Sequence, residues 1–226
     1  MSTEPLVKAA GVGRSYQQGG VTVQALVAAT CAVFSRDRIA VAGPSGSGKS
    51  TLLHLLAALE RPTTGRIDWP ALGAAETLRP RKIAIVFQMP SLLPALTVIE
   101  NVELPLLLGE GNAAAREAAV KALIRIGLAD IADKLPEELS GGQAQRVALA
   151  RAIAGHPRLI LADEPTGQLD RTTGMHVFDA LLTHLADTDT ALVVATHDLC
   201  VAKRMDMVWQ MRRGVLDVPR TEEVVG

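Results

Sequence analysis

The chain has 226 residues, a formal net charge of −1 and 48% apolar residues. That length suits one α/β-sized domain with a sizeable core, and the near-zero charge excludes a general electrostatic pull toward nucleic acid. No stretch of about 18 uninterrupted apolar residues is present, which excludes a membrane-spanning helix.

At the N-terminus, MSTEPLVKAAG lacks the basic region and apolar core of a secretory signal. Residues of about 5–40 carry β-branched, alternating segments with a turn at Gln17–Gly20 and read as antiparallel strands flanking a sheet. Four apolar runs then follow, each ending in a polar or glycine-rich switch: RIAVA before Gly43, KIAIVF before Gln88, RLILA before Asp163 and ALVVAT before His197. Continuous apolar runs suit parallel strands covered on both faces. Ligands of open parallel sheets collect beyond the carboxyl ends of the strands, so all four switches are expected on one side. Between the second and third runs, from Pro90 to about Leu139, the pattern turns helical, with an amphipathic helix expected to stop near Gly127. That block reads as a helical insertion in a single domain spanning 1–226, and no internal repeat encodes a second nucleotide unit. Cys31 and Cys200 have no C-x-x-C spacing and read as buried thiols in a reducing compartment.

Three motifs carry chemistry. GPSGSGKST, Gly43 to Thr51, has the spacing of a phosphate-binding loop between a strand and a helix. Its glycines let successive N–H groups point inward, and the helix opening at Lys49 adds the positive end of its dipole. Lys49 can reach the β- and γ-phosphates, and the Ser50 hydroxyl is placed for Mg²⁺. In RLILADEP, Asp163 at a strand end can hold Mg²⁺ directly or through water, and Glu164 can orient and deprotonate a water. LSGGQAQRVALARAI starts with Ser140 as a helix N-cap and Gln143 three residues on, a capping-box pattern. Its two glycines, Gly141 and Gly142, open the helix start to close approach, making a second anion site in a chain that already has one.

GPSGSGKST, Gln88 in IVFQ, LSGGQ at Leu139–Gln143, LADEP at Leu161–Pro165, GQLD at Gly167–Asp170 and THD at Thr196–Asp198 stand in the order of an ATP-binding cassette (ABC) ATPase. The resemblance runs from about Ala9 to Gly214. It implies an α/β fold: a P-loop NTPase core with a mostly parallel sheet, an N-terminal antiparallel β subdomain and the inserted helical subdomain at about 90–139. It also resolves the second anion site, because in this family two chains pack head to tail and each closes the other's phosphate loop.

On the matching residues the resemblance implies that Tyr16 stacks on adenine, and that Gly43, Ser45, Gly46, Gly48, Lys49, Ser50 and Thr51 hold the phosphates of ATP. Ser140, Gly141, Gly142 and Gln143 are expected to reach the γ-phosphate across the dimer, and Asp170 to contact the opposing phosphate loop. Ser50, Gln88 and Asp163 are the expected Mg²⁺ shell. Glu164 is the expected base, positioned by His197, with Gln88 beside the attacking water.

FQMPSLLPALTVIENVELPLLL and DEPTGQLD further resemble the branch serving lipoprotein release, macrolide-type export and cell division. That implies an ATPase working as a homodimer, peripheral on the cytoplasmic face of the membrane through integral permease subunits, with no nucleic acid. A solute-importer subunit and an ATP-dependent clamp of an envelope or division complex are the alternatives. A soluble cassette acting on DNA or ribosomes usually carries two cassettes or a long coiled-coil insertion, and this sequence has neither. The sequence departs from the branch in three places: Gly65–Gln88 is short, the turn SRDR replaces glycine followed by glutamate, and Gln168 stands where asparagine is usual.

Overall fold

The computed structural model describes residues 4–110 and 114–219. Residues 1–3 and 220–226 of the expected single domain, and 111–113 of the expected helical block, lie outside the described residues. In chain order the elements are β1 (Val7–Gln18), β2 (Val21–Val33), β3 (Arg38–Ala42), α1 (Lys49–Leu56), β4 (Thr64–Asp68), β5 (Ile83–Val86), α2 (Val98–Glu110), α3 (Ala115–Arg125), α4 (Gly141–Ala154), β6 (Leu159–Asp163), α5 (Arg171–Ala186), β7 (Ala191–Thr196), α6 (Leu199–Ala202), β8 (Met207–Arg212) and β9 (Val215–Asp217). They form two compact units, Met1–Ala75 with Ala191–Gly226, and Glu76–Thr190.

In the first unit the strands lie in the order β4-β1-β2-β9-β8-β3-β7. The β1–β2 hairpin is antiparallel, as its alternating sequence predicts, and β4 adds antiparallel on its other edge. The β1 ladder slips at Gly11, whose φ of 60° forms a bulge and whose N–H donates to Thr30 Oγ1 at 3.0 Å. The apolar strand β3 lies parallel between β7 and β8. All six residues of β7 and the last four of β3 are buried, which accounts for their unbroken apolar text. Ala42 pairs with Thr196, so the switches after β3 and β7 emerge side by side.

The SRDR turn, residues 35–38, leads into β3. Arg36 takes the left-handed conformation, with φ of 71°. The Asp37 N–H donates to the Phe34 carbonyl at 3.2 Å, and the Phe34 N–H donates to Asp37 Oδ2 at 2.7 Å. That conformation is cheapest for glycine, so a side chain here carries a cost.

In the second unit β5 and β6 run parallel with Val86 opposite Ala162, so their carboxyl ends also lie side by side. The helices α2, α3 and α4 pack on one another through Val98, Val102, Ala115, Ala119, Ala122, Leu123, Val147 and Ile153, all buried. The amphipathic reading of α3 holds: Ala115, Ala119, Ala122 and Leu123 face inward, and Gly127, with φ of 70°, follows its last turn. The cysteine expectation is half corrected. Cys31 is buried and its thiol is pushed up to about 12 by burial, whereas Cys200 in the short α6 is only half-buried.

Candidate nucleotide site

The phosphate loop hangs between β3 and α1, as the spacing predicts. Gly48 is the N-cap of α1, with φ of 105° and no side-chain hydrogen bond closing the helix start. A methyl group on Gly48 would fall 2.3 Å from the Ala25 carbonyl, and one on Gly43 would fall 2.1 Å from the Met211 carbonyl. Both positions therefore need glycine for close backbone packing as well as for dihedral freedom. Behind the loop, the Gly214 N–H donates to Ser47 O and the Val27 N–H to Gly214 O, each at 2.8 Å. Pro44, Ser45 and Gly46 are exposed, with Gly46 at φ of 73°, while Ser50 and Thr51 are half-buried on the first turn of α1. Lys49 is buried, and its ammonium donates to the carbonyls of Gly43 (2.9 Å) and Pro44 (3.0 Å), folded over its own loop.

Tyr16 stands on β1 of the same unit, half-buried. Its hydroxyl donates to Glu60 Oε2 at 2.7 Å, and the guanidinium of Arg14 lies 4.6 Å from the ring centroid. Arg14 Nε donates to the same Glu60 oxygen at 2.9 Å, and His54 Nδ1 lies 3.6 Å from the other. Partial burial pushes the Glu60 carboxyl up, but hydrogen bonds from Tyr16 and Arg14 outweigh it and hold the group below the usual carboxylate range. His197, after β7, is exposed. The Thr196 hydroxyl accepts the Asp198 N–H at 3.0 Å, and Asp198 caps α6 through the Cys200 N–H at 2.7 Å, so the backbone on either side of His197 is tied down.

In the second unit Asp163 is the last residue of β6 and Glu164 follows it, 7% and 8% exposed. Glu164 adopts φ of 45°, in the left-handed region, and its carbonyl accepts the Gly167 N–H at 3.0 Å. A non-glycine residue held there carries backbone strain, of the kind that gathers at functional sites. Ser140 caps α4 as its sequence predicts: Ser140 Oγ accepts the Gln143 N–H at 3.2 Å, and the Gln143 side chain accepts the Ser140 N–H at 2.9 Å. Ser140 and Gly141 are exposed, whereas a methyl group on Gly142 would meet the Leu169 side chain at 2.8 Å. Asp170 caps α5 by accepting the Thr173 N–H at 3.0 Å, and hydrogen bonds from the Thr173 side chain and backbone hold its carboxyl below the usual range.

Gln88 is exposed just beyond β5. The backbone around it is held by three side chains that motif reading passed over. Buried Gln145 of α4 donates to Phe87 O at 3.5 Å, and Arg151 donates to Pro90 O at 2.9 Å and Ser91 O at 3.0 Å. Buried Asn101 of α2 accepts the Leu93 N–H at 2.7 Å and donates to the carbonyls of Leu93, Leu96 and Thr97. The one available signal was a polar residue at an inward helical position, since a buried amide must find partners.

The loop's donors suit a polyphosphate: a glycine at the helix start, a left-handed glycine within the loop and an ammonium that lies over the carbonyls of Gly43 and Pro44. Among the described residues no group of three or more His, Cys, Asp or Glu could hold a metal alone. No described helix is long and apolar enough to cross a membrane.

Comparison with known proteins agrees. The family model for the ABC transporter matches residues 28–167. The lipoprotein-releasing system ATP-binding protein LolD of Legionella pneumophila (strain Paris) is 44% identical over 211 residues, covering 90% of this chain and 93% of the relative. That of Paramagnetospirillum magneticum is 41% identical, covering 93% and 96%. Among solved structures, the dimeric post-hydrolysis state of the ATP-binding cassette MJ0796 bound to ADP and Pi superposes with a TM-score of 0.85 at 38% identity, covering 97% of this chain and 99% of that one. A second dimeric structure of MJ0796, a bacterial ABC transporter cassette, gives 0.86. With the phosphate loop, the capped LSGGQ helix and the DE pair in place, this chain belongs to the ABC transporter family, as an ATP-binding and ATP-hydrolysing cassette subunit similar to those of lipoprotein release.

Proposed function

We propose that the chain, acting as one cassette over 1–226, drives a membrane-embedded lipoprotein-releasing permease by closing and reopening as a homodimer around ATP and Mg²⁺. The observation that carries the dimer is the second anion-ready helix start, Ser140–Gln143, exposed at Ser140 and Gly141 and built with two glycines. In a chain whose phosphate loop already offers one such site, a second is most simply explained as serving the nucleotide of another copy. The 44% identity to a lipoprotein-releasing ATP-binding protein favours that branch over a solute importer.

In this reading the phosphate-loop amides of Gly43–Thr51 and Lys49 bind the ATP phosphates, with Lys49 exchanging its carbonyl partners for phosphate oxygens. Tyr16 stacks on adenine. Ser50, Asp163 and Gln88 hold Mg²⁺, which when bound neutralises charge on the β- and γ-phosphates. Glu164, fixed by its strained turn, takes a proton from the attacking water, and His197 positions it. Across the dimer Ser140, Gly141, Gly142 and Gln143 donate to the γ-phosphate of the other copy, and Asp170 meets that copy's phosphate loop. Loss of the γ-phosphate then removes what joined the two chains. The subunit is peripheral, held at the cytoplasmic face by its permease.

Glu164→Gln keeps ATP binding but slows hydrolysis by about 10²- to 10⁴-fold, as expected for loss of a general base. With ATP it traps the dimer, and affinity purification from native membranes then brings down a permease with few spans and a large extracytoplasmic domain. Full ATPase activity in this variant removes Glu164 from its role. Recovery of a many-span permease with a solute-binding protein makes the chain an importer subunit instead.

A further inference from the structure

We propose that Glu60, together with Arg14, is a positioning pair that holds the Tyr16 ring as a preset platform, so that it governs ATP affinity through the base without touching the nucleotide. The proposal rests on the reading of Tyr16 as the adenine partner. Three observations support it. A single carboxylate oxygen, Glu60 Oε2, takes both the Tyr16 hydroxyl (2.7 Å) and Arg14 Nε (2.9 Å), which fixes the far end of the ring. The Arg14 guanidinium occupies one ring face at 4.6 Å from the centroid, so a base stacks on the other.

The third observation is where Glu60 sits. The Leu59 N–H closes the end of α1 on His54 O at 2.9 Å, and the chain then docks on β1 through Thr63 N–H to Gly13 O (2.8 Å) and Ser15 N–H to Thr63 Oγ1 (3.0 Å). Glu60 therefore joins the strand bearing the ring to the helix whose other end is the phosphate loop. The distance between base platform and phosphate cradle is set before ATP arrives, and the ring need not be ordered at the moment of binding.

The test compares ATP with inorganic tripolyphosphate, which has the phosphates and no base, in direct binding and in steady-state ATPase. Glu60→Ala is expected to weaken ATP about 3- to 10-fold, the cost of ordering a side chain on binding. KM rises to match, kcat at saturation stays within about twofold, and tripolyphosphate affinity is unchanged. Glu60→Gln, which keeps an acceptor for the hydroxyl, recovers most of the loss. In a Tyr16→Ala background Glu60→Ala adds nothing, because its effect passes through the ring. If Glu60→Ala weakens tripolyphosphate as much as ATP, Glu60 merely supports α1 and the proposal fails. If Tyr16→Ala selectively weakens ATP while Glu60→Ala does not, the proposal fails and the adenine reading stands. If Tyr16→Ala leaves ATP binding intact, the adenine reading falls first, and the positioning role falls with it.

Discussion

Two helix starts in this molecule are both suited to anions, yet they are finished in opposite ways. The start of α1 has glycine, which carries no capping side chain, at its N-cap, while Lys49 bends back onto two carbonyls. The start of α4 is closed by reciprocal bonds between Ser140 and Gln143. An uncapped start leaves donors waiting for a ligand, whereas a capped one is stable in its absence. The difference suggests a division of labour. Under the proposed function the first start binds nucleotide on its own, and the second keeps its shape when no phosphate is near, offering the Ser140 hydroxyl proton when a second copy arrives.

The largest expected effect that would break this comparison comes from Lys49→Ala, which should raise the ATP dissociation constant about 10- to 100-fold, as loss of a charged hydrogen bond does. Calorimetric titration with ATP reads this directly, and unaltered affinity would mean that the ammonium serves only its own loop. Gly48→Ala comes next. Its methyl group would collide with the Ala25 carbonyl while holding φ of 105°, so a loss of about 2 kcal/mol in unfolding free energy is expected. Denaturant titration showing wild-type stability would mean that the loop gives way easily. Ser140→Ala removes a cap and should cost about 1 kcal/mol. It should leave ATP binding by the single chain intact while abolishing ATP-driven dimer formation on a sizing column. Equal loss of monomer binding would refute the division of labour. Gln143→Ala, which removes only the return bond of the capping box, should cost no more than about 0.5 kcal/mol, and amide exchange at the first turn of α4 measures it.

The parts legible in the sequence were those in which spacing dictates geometry. Gly43 to Thr51 could be placed because a phosphate loop needs its glycines and lysine at fixed offsets, and the Ser140 box because its partners are three residues apart. Runs such as ALVVAT announced buried strands because both of their faces are covered. What stayed hidden depends on contacts between distant residues. Nothing in the text around Glu60 shows that its carboxylate meets Tyr16, 44 residues away. Asn101, Gln145 and Arg151 serve backbone carbonyls near Gln88, and carbonyls leave no mark on a sequence. Arg36 lay between these cases: its departure from glycine was visible, but only the structure shows the turn keeping its left-handed form.

The placing of β3 between β7 and β8 also bears on how the protein is made. The strand that carries the phosphate loop, Arg38–Ala42, is synthesised long before either of its sheet neighbours, Ala191–Thr196 and Met207–Arg212. Gly214 then supplies the amide that holds Ser47 from behind. Pairings between such distant segments carry a high loop-closure cost and form slowly. On the ribosome, the loop must therefore wait until those later segments are made before it gains its backing. A nascent chain stalled before β8 would display the glycine-rich sequence in full and still lack the backbone that packs behind Gly43 and Ser47.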